Sequence, residues 1–261
     1  MDDSQAARSD LAGIALAAGA GTRLRPLTSL RPKPLCPVGD RTLLDWALDS
    51  LSPAVVDLAV NCHHGCDQID AHVSERIGSL GRPIHLSVEA PVALGTAGAV
   101  AHLARWLDGR GALVVNGDTW QRSDLRTFVE GWDGERVRVL TSTPLPFGPR
   151  SGIVASILPW QHVRALAVEP SGLWESVWRT ELDDGRLDAV HHDGTVVDCA
   201  TPRDYLRANL EWSGGESVIG SGARVQGVVE RSVVWPGAAV GPHEHLVDAI
   251  RLDDRRTVLC R

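Results

Sequence analysis

The 261-residue chain contains one lysine, Lys33, and leaves nearly all of its basic charge to arginine. With so little lysine, scattered arginines and a formal net charge of -7, it has no basic cluster to meet a nucleic-acid backbone, so we expect no nucleic-acid partner. Long apolar runs are missing as well. Nothing approaches the roughly 20 residues of a membrane span, and no membrane association is expected. The stretch from Leu11 to Ala20 resembles a leader core, but acidic rather than basic residues precede it and glycines interrupt it, so we read it as a strand and a loop. The five cysteines are odd in number and lack a disulfide-like spacing, which fits a reduced, cytoplasmic setting. Cys62-His-His-Gly-Cys66 lacks the partner pair that a zinc site of that kind needs.

A length of 261 residues suits one large α/β domain with a small appendage, and 43% hydrophobic content is ordinary for a globular chain. Residues 1 to 10 are polar and expected to fray. Strands are expected at Ala12 to Leu16, Val55 to Val60, Ile84 to Val88, Ala112 to Asn116 and Val137 to Thr141. Helices are expected at Leu43 to Leu51, Cys66 to Ile77, Thr96 to Leu107 and Ser123 to Glu130. This alternation predicts a Rossmann-like, mostly parallel sheet with helices on both faces, whose ligands bind beyond the carboxyl ends of the strands.

From Ile219 onward the texture changes. Ile219, Val225, Val228, Val234, Val240 and Leu246 recur at spacing six with one slip of three, among Gly220, Gly227, Gly237 and Gly241. That pattern predicts a short left-handed β-helix, with these aliphatic residues turned inward. We therefore expect domains at 1–213 and 214–261, joined by a helix over Tyr205 to Trp212. Too few coils are present for independence, so the second should dock on the first or mediate a homo-oligomer.

The first strand feeds Ala17-Ala-Gly-Ala-Gly-Thr-Arg23, where small residues let backbone N–H groups approach an anion. It is not a P-loop, and Leu24 stands where a dinucleotide-binding turn would carry its third glycine. Soon after come Pro26-Leu-Thr28 and Pro32-Lys33-Pro34. A lysine kept only there points to a compact ammonium on a flexible stem, doing what a planar guanidinium does not.

Taken together, these motifs resemble the sugar-1-phosphate nucleotidyltransferases (NDP-sugar pyrophosphorylases), whose signature is close to Leu-Ala-x-Gly-x-Gly-Thr-Arg-Leu-x-Pro-Leu-Thr and then Pro-Lys-Pro-Leu. Further matches follow in order: Glu89 with Leu94-Gly-Thr-Ala-Gly98, then Val115-Asn-Gly-Asp118, then Asp198-Cys-Ala-Thr-Pro202. The resemblance implies transfer of a nucleoside monophosphate from an NTP to a sugar 1-phosphate, or a cyclitol phosphate of similar shape, with Mg²⁺ as cofactor. Arg23 and Lys33 would be catalytic. Leu16, Ala17, Ala18, Gly19, Gly21, Thr22, Gly95 and Thr96 would bind the nucleotide, and Asn116, Gly152 and Arg150 the sugar phosphate. Asp118 and Asp198 would hold the metal.

Two departures accompany the resemblance. Ala200 stands where the family has glycine, which would strain the loop if that position needs a positive φ. The second lysine that usually binds the sugar phosphate is absent, and Arg150 is the expected substitute. Leu94 to Gly98 resembles the mannose-1-phosphate guanylyltransferase branch, whereas Val115 to Trp120 and the compact middle resemble short uridylyltransferases. GTP is the expected donor. Two other readings remain: a catalytically inactive nucleotide-sugar-binding regulatory subunit, and a phosphocholine-type cytidylyltransferase.

Overall fold

The computed structural model describes residues 10–260, so residue 261 and all of the polar opening except Asp10 lie outside the described residues. Two compact units make up the chain. Among the described residues one comprises 10–19, Trp46–Gly117 and Gln121–Val196, the other Ala20–Asp45, Asp118–Trp120 and 197–260.

The first unit is built on a seven-stranded sheet of β1 (Leu11–Leu16), β2 (Leu58–Cys62), β3 (Ile84–Val88), β4 (Gly111–Asn116), β5 (Arg138–Thr141), β6 (Ile153–Leu158) and β7 (Asp188–His191). Their spatial order is β7-β5-β6-β4-β1-β2-β3. All neighbours run parallel except β6, which is antiparallel to both β4 and β5. The near-continuous apolar runs of β1, β2 and β4 suit strands covered on both faces. Ala12, Ile14, Ala59, Val100, Leu103, Ala112, Val114 and Val139 form the middle of the core. The strand order reverses between β1 and β4, where Leu16 lies opposite Asn116. Such a switch point opens a crevice beyond the carboxyl ends of the strands.

Several boundaries move from their expected places. The amides of Ala54 and Val55 bond back to the Leu51 carbonyl, so that stretch is the exit of the preceding helix and β2 begins only at Leu58. The helix α1 runs over Cys66–Leu80, one turn longer than expected, to the left-handed Gly81. The single helix expected over Thr96 to Leu107 is two: α2 (Gly95–His102) and a short turn, Ala104–Leu107, separated at Leu103.

In the second unit, three 3₁₀ turns, Thr22–Leu24, Leu27–Ser29 and Lys33–Leu35, follow one another closely. Helix α3 (Pro202–Ser213) starts at a capping box, in which Thr201 and Asp204 each accept the other's backbone N–H, with Pro202 at the first helical position. After it, short strands stack in parallel: Val218–Ile219 on Val233–Val234 and then on Ala249–Arg251, Arg224–Val225 on Ala239–Val240, and Val228–Glu230 on His245–Val247. An antiparallel strand, Thr257–Leu259, ends the stack. The register corrects one inward position: Val229, not Val228, lies over the buried Leu246, while Val228 pairs with the exposed His245. Ile219 and Val225 also remain 47% and 38% exposed, because they belong to the first rung, whereas Val234 and Val240 beneath them are buried.

Trp235 and Tyr205 are fully buried in this unit. The indole N–H of Trp235 donates to the Tyr205 hydroxyl at 2.9 Å, the Tyr205 hydroxyl donates to the Pro37 carbonyl, and the Arg31 guanidinium lies 4.4 Å from the Trp235 ring centre. The stacked strands are thereby connected to the chain on either side of Lys33.

Candidate active site

Lys33 is 6% exposed, yet it is held as an ammonium. Its Nζ donates to Asp118 Oδ2 at 2.8 Å and to Asp198 Oδ1 at 3.1 Å. Burial pulls its pKa down, but the two carboxylates outweigh that and leave it raised above the ordinary lysine value. Local structure explains how three distant stretches supply these groups. Asp118 directly precedes the strand Thr119–Gln121, which pairs with Val196–Asp198, so the two aspartates come from the ends of one two-stranded ribbon. Lys33 opens its own 3₁₀ turn behind Pro32.

Gly21 adopts φ 59°, and a Cβ there would come within 3.0 Å of both Thr28 and Lys33. The Thr28 hydroxyl donates to the Gly21 carbonyl at 2.9 Å, closing the loop onto the segment that carries the lysine. Arg23 and Thr22 are exposed on the first turn, and Arg23 has no ion-pair partner among the described residues. A guanidinium without an ion-pair partner among the described residues and an ammonium shared by two carboxylates therefore occupy one short stretch. Ala200 is not among the residues with left-handed backbone, so alanine there carries no strain and the Asp198 segment needs no glycine.

Two carboxylates that converge on one nitrogen, with Asp118 partly and Asp198 largely open to water, are a donor set suited to a hard divalent cation that keeps several waters. Among the described residues no group of three or more His, Cys, Asp or Glu side chains is arranged for a metal.

In the first unit the notable contacts are hydrogen bonds between side chains and backbone rather than ion pairs. Asn61 and Glu89 are each 2% exposed. The Asn61 side chain accepts from the Ala17 amide at 2.7 Å and donates to Glu89 Oε1 at 2.6 Å, and Glu89 Oε2 accepts from the Leu94 amide at 2.7 Å. The loop after β1, the end of β2 and the loop after β3 are thus fastened to each other by two buried side chains. The Ala17 amide, expected to face a nucleotide, is committed to Asn61, and the Ala18 carbonyl accepts from His64 Nδ1. Gly19 is exposed with open space on its side-chain face.

Gly95 and Thr96 have structural partners. Gly95 has φ +69°, and a Cβ on it would come within 2.5 Å of the Ser171 carbonyl oxygen. A Cβ on Gly98 would come within 2.1 Å of the Glu169 oxygen. The Thr96 hydroxyl accepts from the Leu173 amide at 2.8 Å. Gly152 closes the connection between β5 and β6, its amide donating to Thr143 Oγ1 at 2.9 Å and its carbonyl accepting from Ser142 N. Arg150 is exposed on that connection.

Beyond the carboxyl ends of β1 and β4 lies a cavity of about 210 Å³. Leu16, Thr96, Val114, Asn116 and Ile153 line it, with Ser156 and the segment Gly172–Glu175 and Trp178 as its other wall. That wall is a turn of π-helix over Trp174–Trp178, the kind of local irregularity that re-aims side chains at a site. Three of the expected ligand-binding residues, Leu16, Thr96 and Asn116, meet here, whereas Gly152 and Arg150 do not line it. The sequence reading missed Asn61, Trp174, Glu175 and Trp178. A polar Asn closing the otherwise apolar run Leu58–Cys62 was the available signal for Asn61, and the tryptophan wall gave none.

The nucleotidyl transferase family model matches residues 12–144. An N-acetylmuramate alpha-1-phosphate uridylyltransferase of Caulobacter vibrioides is 38% identical, over 75% of this chain and 94% of its own length. A mannose-1-phosphate guanylyltransferase of Mycobacterium tuberculosis is 31% identical, over 93% of this chain and 80% of its own. Among solved structures, one described as a glucose-1-phosphate thymidylyltransferase of Bacillus anthracis superposes with a TM-score of 0.66 at 20% identity. It covers 77% of this chain and 94% of that one, a likeness of fold.

Proposed function

The chain belongs to the nucleotidyl transferase family, and from that premise we propose that it transfers a nucleoside monophosphate from an NTP to a sugar 1-phosphate. A phosphate oxygen of the sugar 1-phosphate bonds to the α-phosphorus of the NTP while the bond to pyrophosphate breaks. Both partners are polyanions and the attacking oxygen is already ionised, so the work is positioning and charge neutralisation, without a covalent nucleophile or general base. The observation that carries this reading is the buried Lys33 ammonium held between Asp118 and Asp198.

In this reading Lys33 follows the α-phosphate and the attacking oxygen, and Arg23, exposed and without an ion-pair partner among the described residues, takes the outer phosphates through its planar fork. Asp118 and Asp198 hold Mg²⁺, which when bound supplies positive charge to the phosphates of both substrates. Ala18, Gly19, Gly21 and Thr22 serve the nucleotide, while Asn61 and Glu89 hold the Ala17 and Leu94 amides and so fix the loop that carries them. Residues 1–213 carry the chemistry, and 214–261, a short left-handed β-helix, support stability or self-association.

For the donor we now put UTP ahead of the expected GTP, because the uridylyltransferase relative is matched over nearly its whole length. GTP is kept as the second reading on the strength of the guanylyltransferase relative, whose match spans nearly all of this chain. The test is pyrophosphate release for each of four NTPs against a panel of sugar 1-phosphates and choline phosphate, with Mg²⁺ and with EDTA. We expect release with UTP and a sugar 1-phosphate, abolished by EDTA. Failure of every pair would favour the inactive regulatory subunit, and release with CTP and choline phosphate alone would favour the cytidylyltransferase.

A further inference from the structure

We infer that the cavity beyond β1 and β4 selects a sugar whose ring carries only uncharged substituents, and that Glu175 makes it reject a sugar bearing a carboxylate. This rests on the proposed reaction only in taking the ligand to be a sugar 1-phosphate.

At about 210 Å³ the cavity is smaller than the roughly 300–1,000 Å³ typical of drug-sized ligands, so it suits a single ring. Its apolar share comes from Leu16, Val114, Ile153 and the two tryptophans, surfaces that match the C–H faces of a pyranose. Its polar groups are easily accounted for. Ser156 Oγ accepts from the Trp178 indole N–H at 3.2 Å, and Thr96 Oγ1 accepts from Leu173. The Asn116 carboxamide and the Glu175 carboxylate are bonded to no other described residue. What remains for a ligand is one amide, which donates and accepts, one carboxylate, which only accepts, and hydroxyl protons. Ring hydroxyls and an acylamino group can satisfy all of these.

A carboxylated sugar cannot. No arginine, lysine or histidine lines the wall, and its one charged side chain is Glu175, of the same sign. Such a ligand would lose water from its carboxylate without gaining a cation and would face repulsion as well. The Caulobacter vibrioides relative is named for an acidic sugar phosphate, N-acetylmuramate α-1-phosphate. On this inference the present chain, although 38% identical to it, parts from it in substrate class.

The experiment is calorimetric binding to the full chain of α-D-glucose 1-phosphate, N-acetyl-α-D-glucosamine 1-phosphate and α-D-glucuronic acid 1-phosphate. It is repeated with Glu175→Gln and Glu175→Arg, both at an exposed position. We expect at least one neutral ligand to bind at least about tenfold more tightly than the acid, a modest factor because water screens Glu175. Glu175→Gln should shrink that ratio and Glu175→Arg should invert it. Equal or tighter binding of the acid to the parent chain overturns the inference, as does a ratio that Glu175→Arg leaves unmoved, or no binding of any of the three. Pyrophosphate release is scored separately: selective binding without release under any NTP would fail the proposed reaction while leaving the inference standing.

Discussion

In the first unit the notable residues are held by backbone and by shape, whereas in the second they are charges held by one another. Gly95, Gly98, Asn61 and Glu89 work through close approach and satisfied hydrogen bonds, and little solvent reaches Gly98, Asn61 or Glu89. Lys33, Asp118 and Asp198 sit on short turns and a two-stranded ribbon and are partly open to water on the carboxylate side. Close-packed contacts fail by raising the energy of the folded state, since interiors are nearly incompressible. Charges on loops fail by losing what they do to a ligand. Substitutions at Gly95, Gly98, Asn61 and Glu89 should therefore act on unfolding, and those at Lys33, Asp118 and Asp198 on turnover.

The largest effect is expected at the carboxylates. Asp118→Asn and Asp198→Asn should each lower Mg²⁺-dependent turnover at least about a thousandfold, since an amide is a poor ligand for a hard cation and phosphate charge goes unneutralised. Steady-state rates at several Mg²⁺ concentrations measure this, and a fully active Asp198→Asn would move the second ligand elsewhere. Next comes Lys33→Ala, with turnover down at least about a hundredfold and the unfolding midpoint little changed. Lys33→Arg should restore only a small part, because a planar fork cannot occupy the space of a point charge between two aspartates.

For the first unit the comparison predicts the reverse. Gly98→Ala places a Cβ against the Glu169 carbonyl and should cost about 1–3 kcal/mol of stability. Thermal unfolding would record it, while kcat measured well below the midpoint should stay near that of the parent. A large drop in kcat with an unchanged midpoint would break the contrast. The smallest effect belongs to Trp235→Phe, which keeps a ring but removes the hydrogen bond to Tyr205, at about 1 kcal/mol. If the stacked strands matter to Lys33 through Arg31 and Pro37, this variant should also lower kcat by a few-fold with KM unchanged. An effect on the unfolding midpoint alone would confine Trp235 to packing.

Much of the sheet was legible in the sequence because the central strands β1, β2 and β4 are covered on both faces and read as nearly unbroken apolar runs. Ile84 to Val88 was placed to the residue, as was the helix Leu43–Leu51. Errors came where backbone bonding, not side-chain pattern, decides the matter: at Ala54 and Val55, which continue a helical turn, and at Leu103, which interrupts one. The coil column slipped by one at Val228 because valine follows valine there and a period of six cannot choose between them. At the site, the short motifs name Lys33, Asp118 and Asp198, which the structure brings together. The cavity wall escaped notice since Trp174 to Trp178 lie far along the chain in a π-helical turn, which has no apolar period of its own.

A solitary lysine also changes what can be done to the molecule from outside. Acylating reagents, aldehyde fixatives and amine-coupled surfaces look for ε-amino groups, and this chain offers one, sunk beneath two carboxylates. Its outer surface should therefore be almost inert to such chemistry, leaving the backbone amine as the main handle. Any reagent small enough to reach Lys33 would modify one position only, so the fraction of molecules carrying the adduct would directly report how far that side chain is shielded.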